Sequence, residues 1–105
     1  MSYSKENYGD VEPQAPGMHF LRDALDCERL GLTVVEGDGE WSGMEHDHAE
    51  EDHEEVYLLM EGSGTLTVDG EDVDLDPGDA VRVAPSSTRT YEFDERSRMV
   101  VVGAP

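Results

Sequence analysis

The chain has 105 residues and a formal net charge of -19, because 26 Asp and Glu stand against 7 Lys and Arg. This length holds one domain with one modest core. The negative charge argues against a nucleic-acid backbone as a partner, and no apolar stretch approaches the ~20 residues of a membrane span. The first residues also lack the apolar segment of a secretory signal, so we expect a cytoplasmic protein.

The acidic composition lies close to that of disordered chains, but the apolar residues form short alternating runs, which favours a folded domain. An acidic surface of this kind is typical of proteins from organisms that keep molar salt in the cytoplasm. Molar salt shortens the Debye length to about 3 Å and removes most of the self-repulsion. We therefore expect a halophilic protein that loses structure at low salt. Cys27 is the only cysteine and is expected to be an inert thiol.

In chain order, residues 1–17 are polar and predict an N-terminal arm, which is either a flexible tail or a segment that pairs with an edge strand or a partner subunit. Residues 18–105 are expected to form the folded domain. The segment 19–25 fits a short strand or a turn of helix, and its periodicity does not decide between them. Residues 30–36 predict a strand because β-branched residues are frequent there.

The second half of the chain alternates more clearly. Residues 56–60 form a continuous apolar run, which predicts a strand covered on both faces. Residues 65–75 predict a hairpin, because the Asp-Gly pair at its centre supplies the positive φ of a tight turn. The sequence Asp-Pro-Gly-Asp at 76–79 fits a type II turn. Further strands are predicted at 80–84, 89–93 and 99–103.

About eight or nine short strands without a long helix predict an all-β fold, an antiparallel β-barrel or sandwich in a single domain. The most informative segment lies between two of these strands. His46 and His48 are two residues apart, so an extended chain points both imidazoles to one face. Glu55 opens the apolar strand that follows, and Gly62 closes it. Two imidazoles and a carboxylate are a common ligand set for a divalent transition metal.

These residues resemble the first motif of the cupin superfamily, small single-domain type, in which His-x-His precedes a Glu and a Gly follows seven residues after that Glu. The resemblance covers roughly residues 31–103 and includes the hairpin and Pro-Gly-Asp turn. It implies a jelly-roll barrel with a Fe, Mn, Ni or Zn ion at His46, His48 and Glu55. It also implies a small-molecule ligand inside the barrel and a homodimer.

Two departures from the family pattern matter. Six residues separate His48 from Glu55, where three or four are usual, so the extra length must bulge as a loop. In the second motif, Arg89 stands where the resemblance places a metal-ligating histidine. An arginine cannot ligate a metal, but it can hold a carboxylate or phosphate with two hydrogen bonds. The alternative is an ion pair between Arg89 and Glu55, or another acid, at a site that binds no metal.

Three further residues complete the candidate site. His53 precedes Glu55 by two positions, so it is either a fourth metal ligand or a solvated residue of the acidic loop. Tyr57 shares the face of Glu55, and Tyr91 shares the face of Arg89. Together with Arg89, these tyrosines suit a small polar or anionic ligand, although core packing is the alternative for Tyr91.

Three functions therefore stay open. The first is a metal-dependent enzyme, such as an oxygenase or isomerase, with Arg89 orienting an anionic substrate. The second is a non-catalytic binding or sensing barrel that has lost metal binding, which the replacement of the second-motif histidine favours. The third is an interaction module that forms a homodimer through the apolar runs at 56–60 and 99–103.

Overall fold

The structure is a computed structural model that describes residues 2–43 and 52–105. A short 3-10 helix (Tyr8–Asp10) precedes eight strands within these residues. The strands are β1 (Met18–Phe20), β2 (Gly31–Gly37), β3 (Glu54–Glu61), β4 (Gly64–Val68), β5 (Glu71–Leu75), β6 (Ala80–Val83), β7 (Arg89–Phe93) and β8 (Ser97–Ala104). In the described part of the chain, no helix is long and apolar enough to cross a membrane.

The strands form two antiparallel sheets that pack face to face. One sheet has five strands in the order β1-β2-β8-β3-β6, and the other has three in the order β5-β4-β7. Residues 41–43 extend the smaller sheet at β7, where Ser42 bridges to Glu92. This arrangement confirms the predicted all-β, antiparallel jelly-roll fold. The undecided segment at 19–25 begins with the end of β1 and continues as turns.

The predicted turns are present, and one of them reaches the strand that carries Arg89. Asp69 and Gly70 have φ of 49° and 82°, as a two-residue hairpin turn requires. The backbone N–H of Asp69 donates to the carbonyl of Thr88 at 2.9 Å, and the N–H of Thr88 donates back to Asp69 Oδ1 at 2.9 Å. The tip of the β4–β5 hairpin is thus tied to the residue just before β7.

The core lies between the inward faces of the two sheets. Val35, Leu59, Leu66 and Met99 have no exposed surface. They come from both sheets and alternate with outward residues along their strands, which is the pattern expected when one face of each sheet is buried. The inward positions of β3 and β7 extend this core toward the candidate site.

The prediction that the apolar run at 56–60 is covered on both faces is wrong for the single chain. Tyr57 and Leu59 point inward and are buried, but Val56 is 38% exposed and Met60 is 49% exposed. At these two positions, the outer side of the five-stranded sheet is open to solvent in the described part of the chain. An apolar outward face therefore accompanies the apolar inward face of β3.

The N-terminal residues contact the rest of the molecule through several hydrogen bonds. Ser4 donates its hydroxyl to the carbonyl of Leu25 at 2.6 Å. The ring Nδ1 of His19 lies 2.8 Å from the carbonyl oxygen of Val11, and the Tyr8 and His19 rings meet edge to face. The division into an arm at 1–17 and a barrel at 18–105 stays a prediction.

Candidate functional site

Arg89 is the most unusual side chain of the interior. It opens β7 and has no exposed surface. Its Nη2 donates to the carbonyl oxygen of Ala84 at 2.7 Å. Its Nε and Nη1 have no hydrogen-bond partner among the described residues. A buried cation with two unmatched donors is costly, because each lost water contact is left without a replacement.

Two buried tyrosines stand beside Arg89 on the inward faces. The rings of Tyr57 and Tyr91 meet edge to face, with centroids 5.5 Å apart. Burial raises the pKa of both hydroxyls well above their ordinary value, and the negative charge of Glu55 raises it further. The positive charge of Arg89 partly opposes this effect on the pKa of Tyr57. Both tyrosines are therefore neutral hydrogen-bonding groups near neutral pH.

Glu55 is the one proposed metal ligand of the first motif that lies within the described residues. It is half-buried on the inward face of β3, and its Oε1 accepts a hydrogen bond of 2.7 Å from the hydroxyl of Tyr57. Its carboxylate lies over Gly103, where an added Cβ would approach Glu55 Oε2 to 3.4 Å. Carboxylates that bind metals are commonly oriented by such a second hydrogen bond. The chemistry of Glu55 thus fits a ligand of a divalent metal.

His46 and His48 lie outside the described residues. The chain on either side is described: Gly43 donates its N–H to the carbonyl of Tyr91 at 2.9 Å, and β3 begins at Glu54. His53, which is half-buried, directly precedes β3. Residues 2–43 and 52–105 contain no group of three His, Cys, Asp or Glu that is able to hold a metal. The proposed metal site therefore stays a prediction.

Sequence reasoning missed a cavity of about 560 Å³ beside these residues. Its walls are mostly apolar and include Ala15, Pro16, Met18, Trp41 and Tyr91. The indole N–H of Trp41 donates to the carbonyl of Pro16 at 2.7 Å, which holds this end of the N-terminal segment over the cavity. The one signal in the sequence was the single tryptophan. Its contact with residue 16 joins distant parts of the chain, so local pattern did not reveal it.

The fold and site can now be compared with known proteins. A family model described as the cupin domain matches residues 31–103. The chain belongs to the cupin family. Cupins bind small-molecule ligands, and many of them hold a divalent metal.

This cupin is similar to one curated protein, quercetin 2,3-dioxygenase of Bacillus subtilis (strain 168), with 33% identity over 75 residues. The match covers 70% of this chain but only 22% of the dioxygenase, so the cupin spans less than a quarter of that relative's length. The common ancestry is distant, and the activity of the longer protein is not shown for this chain.

Solved structures give the same fold. A cupin protein from Bacteroides fragilis has a TM-score of 0.84 and 22% identity, over 99% of this chain and 85% of that one. KdgF from Halomonas sp. has a TM-score of 0.77 and 19% identity, over 100% and 94%. A sugar phosphate isomerase of the cupin superfamily from Silicibacter pomeroyi has a TM-score of 0.77 and 21% identity, over 97% and 76%. At these identities, the similarity shows the fold alone.

Proposed function

We propose that this cupin binds a small anionic molecule inside its barrel, with Arg89 as the partner of the negative charge. The observation that carries the proposal is the fully buried guanidinium with two unmatched nitrogen atoms. A carboxylate or phosphate supplies both the opposite charge and the missing acceptors. The tyrosines that flank it, Tyr57 and Tyr91, give a ligand site the mixture of apolar surface and few polar groups that such sites usually have.

The predicted metal site fits this proposal. His46, His48 and Glu55 would hold a divalent Fe, Mn, Ni or Zn ion. The described ends of the segment that carries both histidines support it, because they lie at β7 and β3, the strands of Arg89 and Glu55. When bound, such a metal supplies Lewis-acid or redox chemistry for an oxygenase or isomerase reaction. In that function, Arg89 orients the anionic substrate and Tyr57 holds the Glu55 carboxylate in place.

The second candidate function is a non-catalytic binding or sensing barrel without a metal. The presence of Arg89 at the position of the second-motif histidine favours it, because the guanidinium brings a permanent positive charge into the barrel. This charge repels a divalent cation, and the repulsion is strong because the interior of the barrel has low polarity. The two functions share the anion site and differ in the metal.

Metal content separates the two functions. The protein is purified without a tag in molar KCl, loaded with each of the four metals and measured by mass spectrometry beside a His46→Ala/His48→Ala double variant. Near-stoichiometric metal that the double variant lacks supports the metal site. If neither protein retains metal, the non-catalytic barrel replaces the enzyme.

Anion binding is tested separately from the metal. We expect acetate, malonate or phosphate to raise the unfolding midpoint of the wild-type protein, and Arg89→Met to abolish the increase. Arg82→Met is the matched control, because Arg82 is exposed and forms its ion pair with Glu54 at 2.7 Å. If Arg89→Met keeps the increase, as Arg82→Met is expected to do, the anions act by bulk screening rather than at a site.

We further propose that the outer face of the five-stranded sheet pairs with a second copy of the chain. Val56 and Met60 are exposed there, and Val100 and Val102 alternate with buried residues on the neighbouring strand β8. Arg82 and Arg98 border this face, each next to a glutamate. Two molecules of net charge -19 repel each other over most of their surface. The repulsion is weakest at an apolar patch that has positive as well as negative side chains at its border.

The dimer is tested by light scattering coupled to size exclusion in molar KCl. Val56→Glu is expected to produce a monomer, because it places a charge at the centre of the patch. Thr67→Glu, on the outward face of the three-stranded sheet, is the control and leaves the mass unchanged. A monomeric wild-type protein contradicts the proposal.

A further inference from the structure

The apolar cavity beside Trp41 is separate from the Arg89 site. Arg89 has no exposed surface and is not among the described residues that line the cavity. Tyr91 lies two positions further along β7, where it is buried and forms part of the cavity wall. A molecule in the cavity is therefore recognised by the residues of the cavity alone, without a contribution from the buried guanidinium.

We propose that this cavity binds a small uncharged aromatic molecule, whose ring lies against Trp41 and Tyr91. The proposal goes beyond the anion site, because it assigns a second ligand of different chemistry to a different part of the molecule. It does not require that Arg89 binds anything. Three features carry it: the fixed position of the indole, the aromatic wall and the charges of the lining.

The indole of Trp41 is held in place on several sides. Its N–H donates to the carbonyl of Pro16 at 2.7 Å. A Cβ added at Gly37 would lie 2.6 Å from Cβ and Cγ of Trp41, and one added at Gly43 would lie 3.4 Å from the far end of the indole. The two glycines therefore leave just the room that the ring occupies. A ring fixed in this way does not collapse into the space beside it, so the cavity is preformed, as ligand sites usually are.

The size and walls of the cavity favour a flat ring. Its volume of about 560 Å³ lies within the range of small-molecule sites. Trp41 already packs at 5.1 Å between ring centroids from Tyr91 and from Phe93, at interplanar angles of 34° and 25°. A ligand ring extends this cluster in the offset geometry that aromatic groups prefer.

The charges of the lining favour an uncharged ligand. Glu40 is the charged residue among the described ones that line the cavity, and it is exposed. An anionic ligand would meet this like charge and find no cation in the described lining. A cationic ligand gains little, because the carboxylate of an exposed glutamate is already solvated. A charged molecule would thus lose its water in an apolar cavity without a partner that replaces it.

The experiment compares three probes of similar size. Benzyl alcohol is uncharged and has a flat ring, cyclohexylmethanol is uncharged and has a puckered ring, and benzoate has the flat ring and a negative charge. Trp41 is the only tryptophan of the chain, so its fluorescence reports on the cavity when it is excited at a wavelength that the probes do not absorb. Titrations are made in molar KCl, where general repulsion of benzoate is screened.

We expect benzyl alcohol to change the emission of Trp41 with a saturable dependence on its concentration. After correction for partition between water and octanol, it should bind about twofold to tenfold more tightly than cyclohexylmethanol, which is the factor that an aromatic pair adds to apolar burial. Benzoate should bind about tenfold more weakly than benzyl alcohol, because its charge is left without a partner.

Variants of the wall show whether the probe occupies the cavity. Ala15 lines the cavity from the N-terminal segment. Ala15→Val and Ala15→Leu fill the space in two steps, and the larger one should weaken the binding of benzyl alcohol about tenfold. Ala15→Val keeps the comparison possible if the larger side chain prevents folding. Ala24→Leu, at an exposed position outside the cavity lining, is the control and leaves the affinity unchanged.

Several outcomes overturn the inference. If the Ala15 variants bind benzyl alcohol as the control does, the probe lies elsewhere. If cyclohexylmethanol or benzoate binds as tightly as benzyl alcohol, the chemical class is wrong. If no probe changes the emission of Trp41, the cavity does not admit ligands, and if the emission changes with protein concentration alone, a second copy covers it. None of these outcomes bears on the anion site, whose tests use acetate, malonate or phosphate and Arg89→Met.

Discussion

Replacement of Arg89 by methionine should make the ligand-free protein more stable while it abolishes anion binding. Methionine has nearly the length of arginine and is apolar, so it fills the same buried space without a charge. The guanidinium of the wild type has no exposed surface and two nitrogen atoms without partners among the described residues. Removal of such a group commonly stabilises a protein when an apolar side chain of similar volume takes its place.

The magnitude follows from the hydrogen bonds of Arg89. Each unmatched buried donor costs about 1–3 kcal/mol, so relief of two of them contributes about 4 kcal/mol. The lost hydrogen bond from Nη2 to Ala84, at 2.7 Å, costs about 2 kcal/mol. The net gain is about 2 kcal/mol, which corresponds to an increase in Tm of roughly 10 °C for a domain of this size.

Thermal and urea unfolding of the ligand-free protein in molar KCl measure this effect. Arg82→Met is the control, because its side chain is 61% exposed and its ion pair is worth at most about 1 kcal/mol. If the free energy of unfolding of Arg89→Met is lower than that of the wild type by more than about 1 kcal/mol, the reasoning is refuted. It would mean that an acidic group neutralises Arg89 in the ligand-free protein, so that no ligand is needed to do so.

Three further results are expected. Burial raises the pKa of Tyr57 and Tyr91 above 10, so the free energy of unfolding should be constant below about pH 10 and should fall above it by about 1.4 kcal/mol per pH unit for each tyrosine. In Tyr57→Phe, the urea midpoint should therefore fall with pH above 10 about half as steeply as in the wild type. An unchanged dependence on pH contradicts the assignment. Gly62→Ala should cost more than 3 kcal/mol, because its φ is 89° and a Cβ would lie 2.5 Å from the carbonyl oxygen of Arg96, whereas Gly70→Ala, with φ of 82° and open space, should cost only about 1–2 kcal/mol. The unfolding midpoint should rise steeply from dilute to molar KCl because of the net charge of -19, and a flat response would remove the halophilic interpretation.

The sequence predicted the strands and turns well because their signals are local. Alternation along 65–75 and the left-handed pair Asp69 and Gly70 determine the hairpin within a few residues. The proline and glycine of 76–79 determine the next turn in the same way, with Gly78 at φ of 96°. The resemblance to the cupin motifs then predicted the jelly-roll fold, in which strands far apart in the chain lie side by side.

Local signals failed where burial depends on a distant neighbour. The run at 56–60 is apolar on both faces, but only packing of the other sheet decides that Tyr57 is buried and Val56 is not. The bond from Trp41 to Pro16 spans 25 residues, so no periodicity contains it. The unmatched donors of Arg89 are likewise visible only once the surrounding strands are in place. The sequence therefore named residues for a candidate site, which stays a prediction, but it gave no indication of the cavity.

The pair of hydrogen bonds between Asp69 and Thr88 has a practical consequence for protein engineering. The β4–β5 turn is exposed and has open space around Gly70, so it invites the insertion of a label or an affinity tag. Asp69 in this turn, however, is hydrogen-bonded to Thr88, the residue that directly precedes β7 and Arg89. We therefore expect an insertion in this turn to disturb the start of β7, which an insertion at the Asp76–Asp79 turn, on the other side of β5, should leave unchanged.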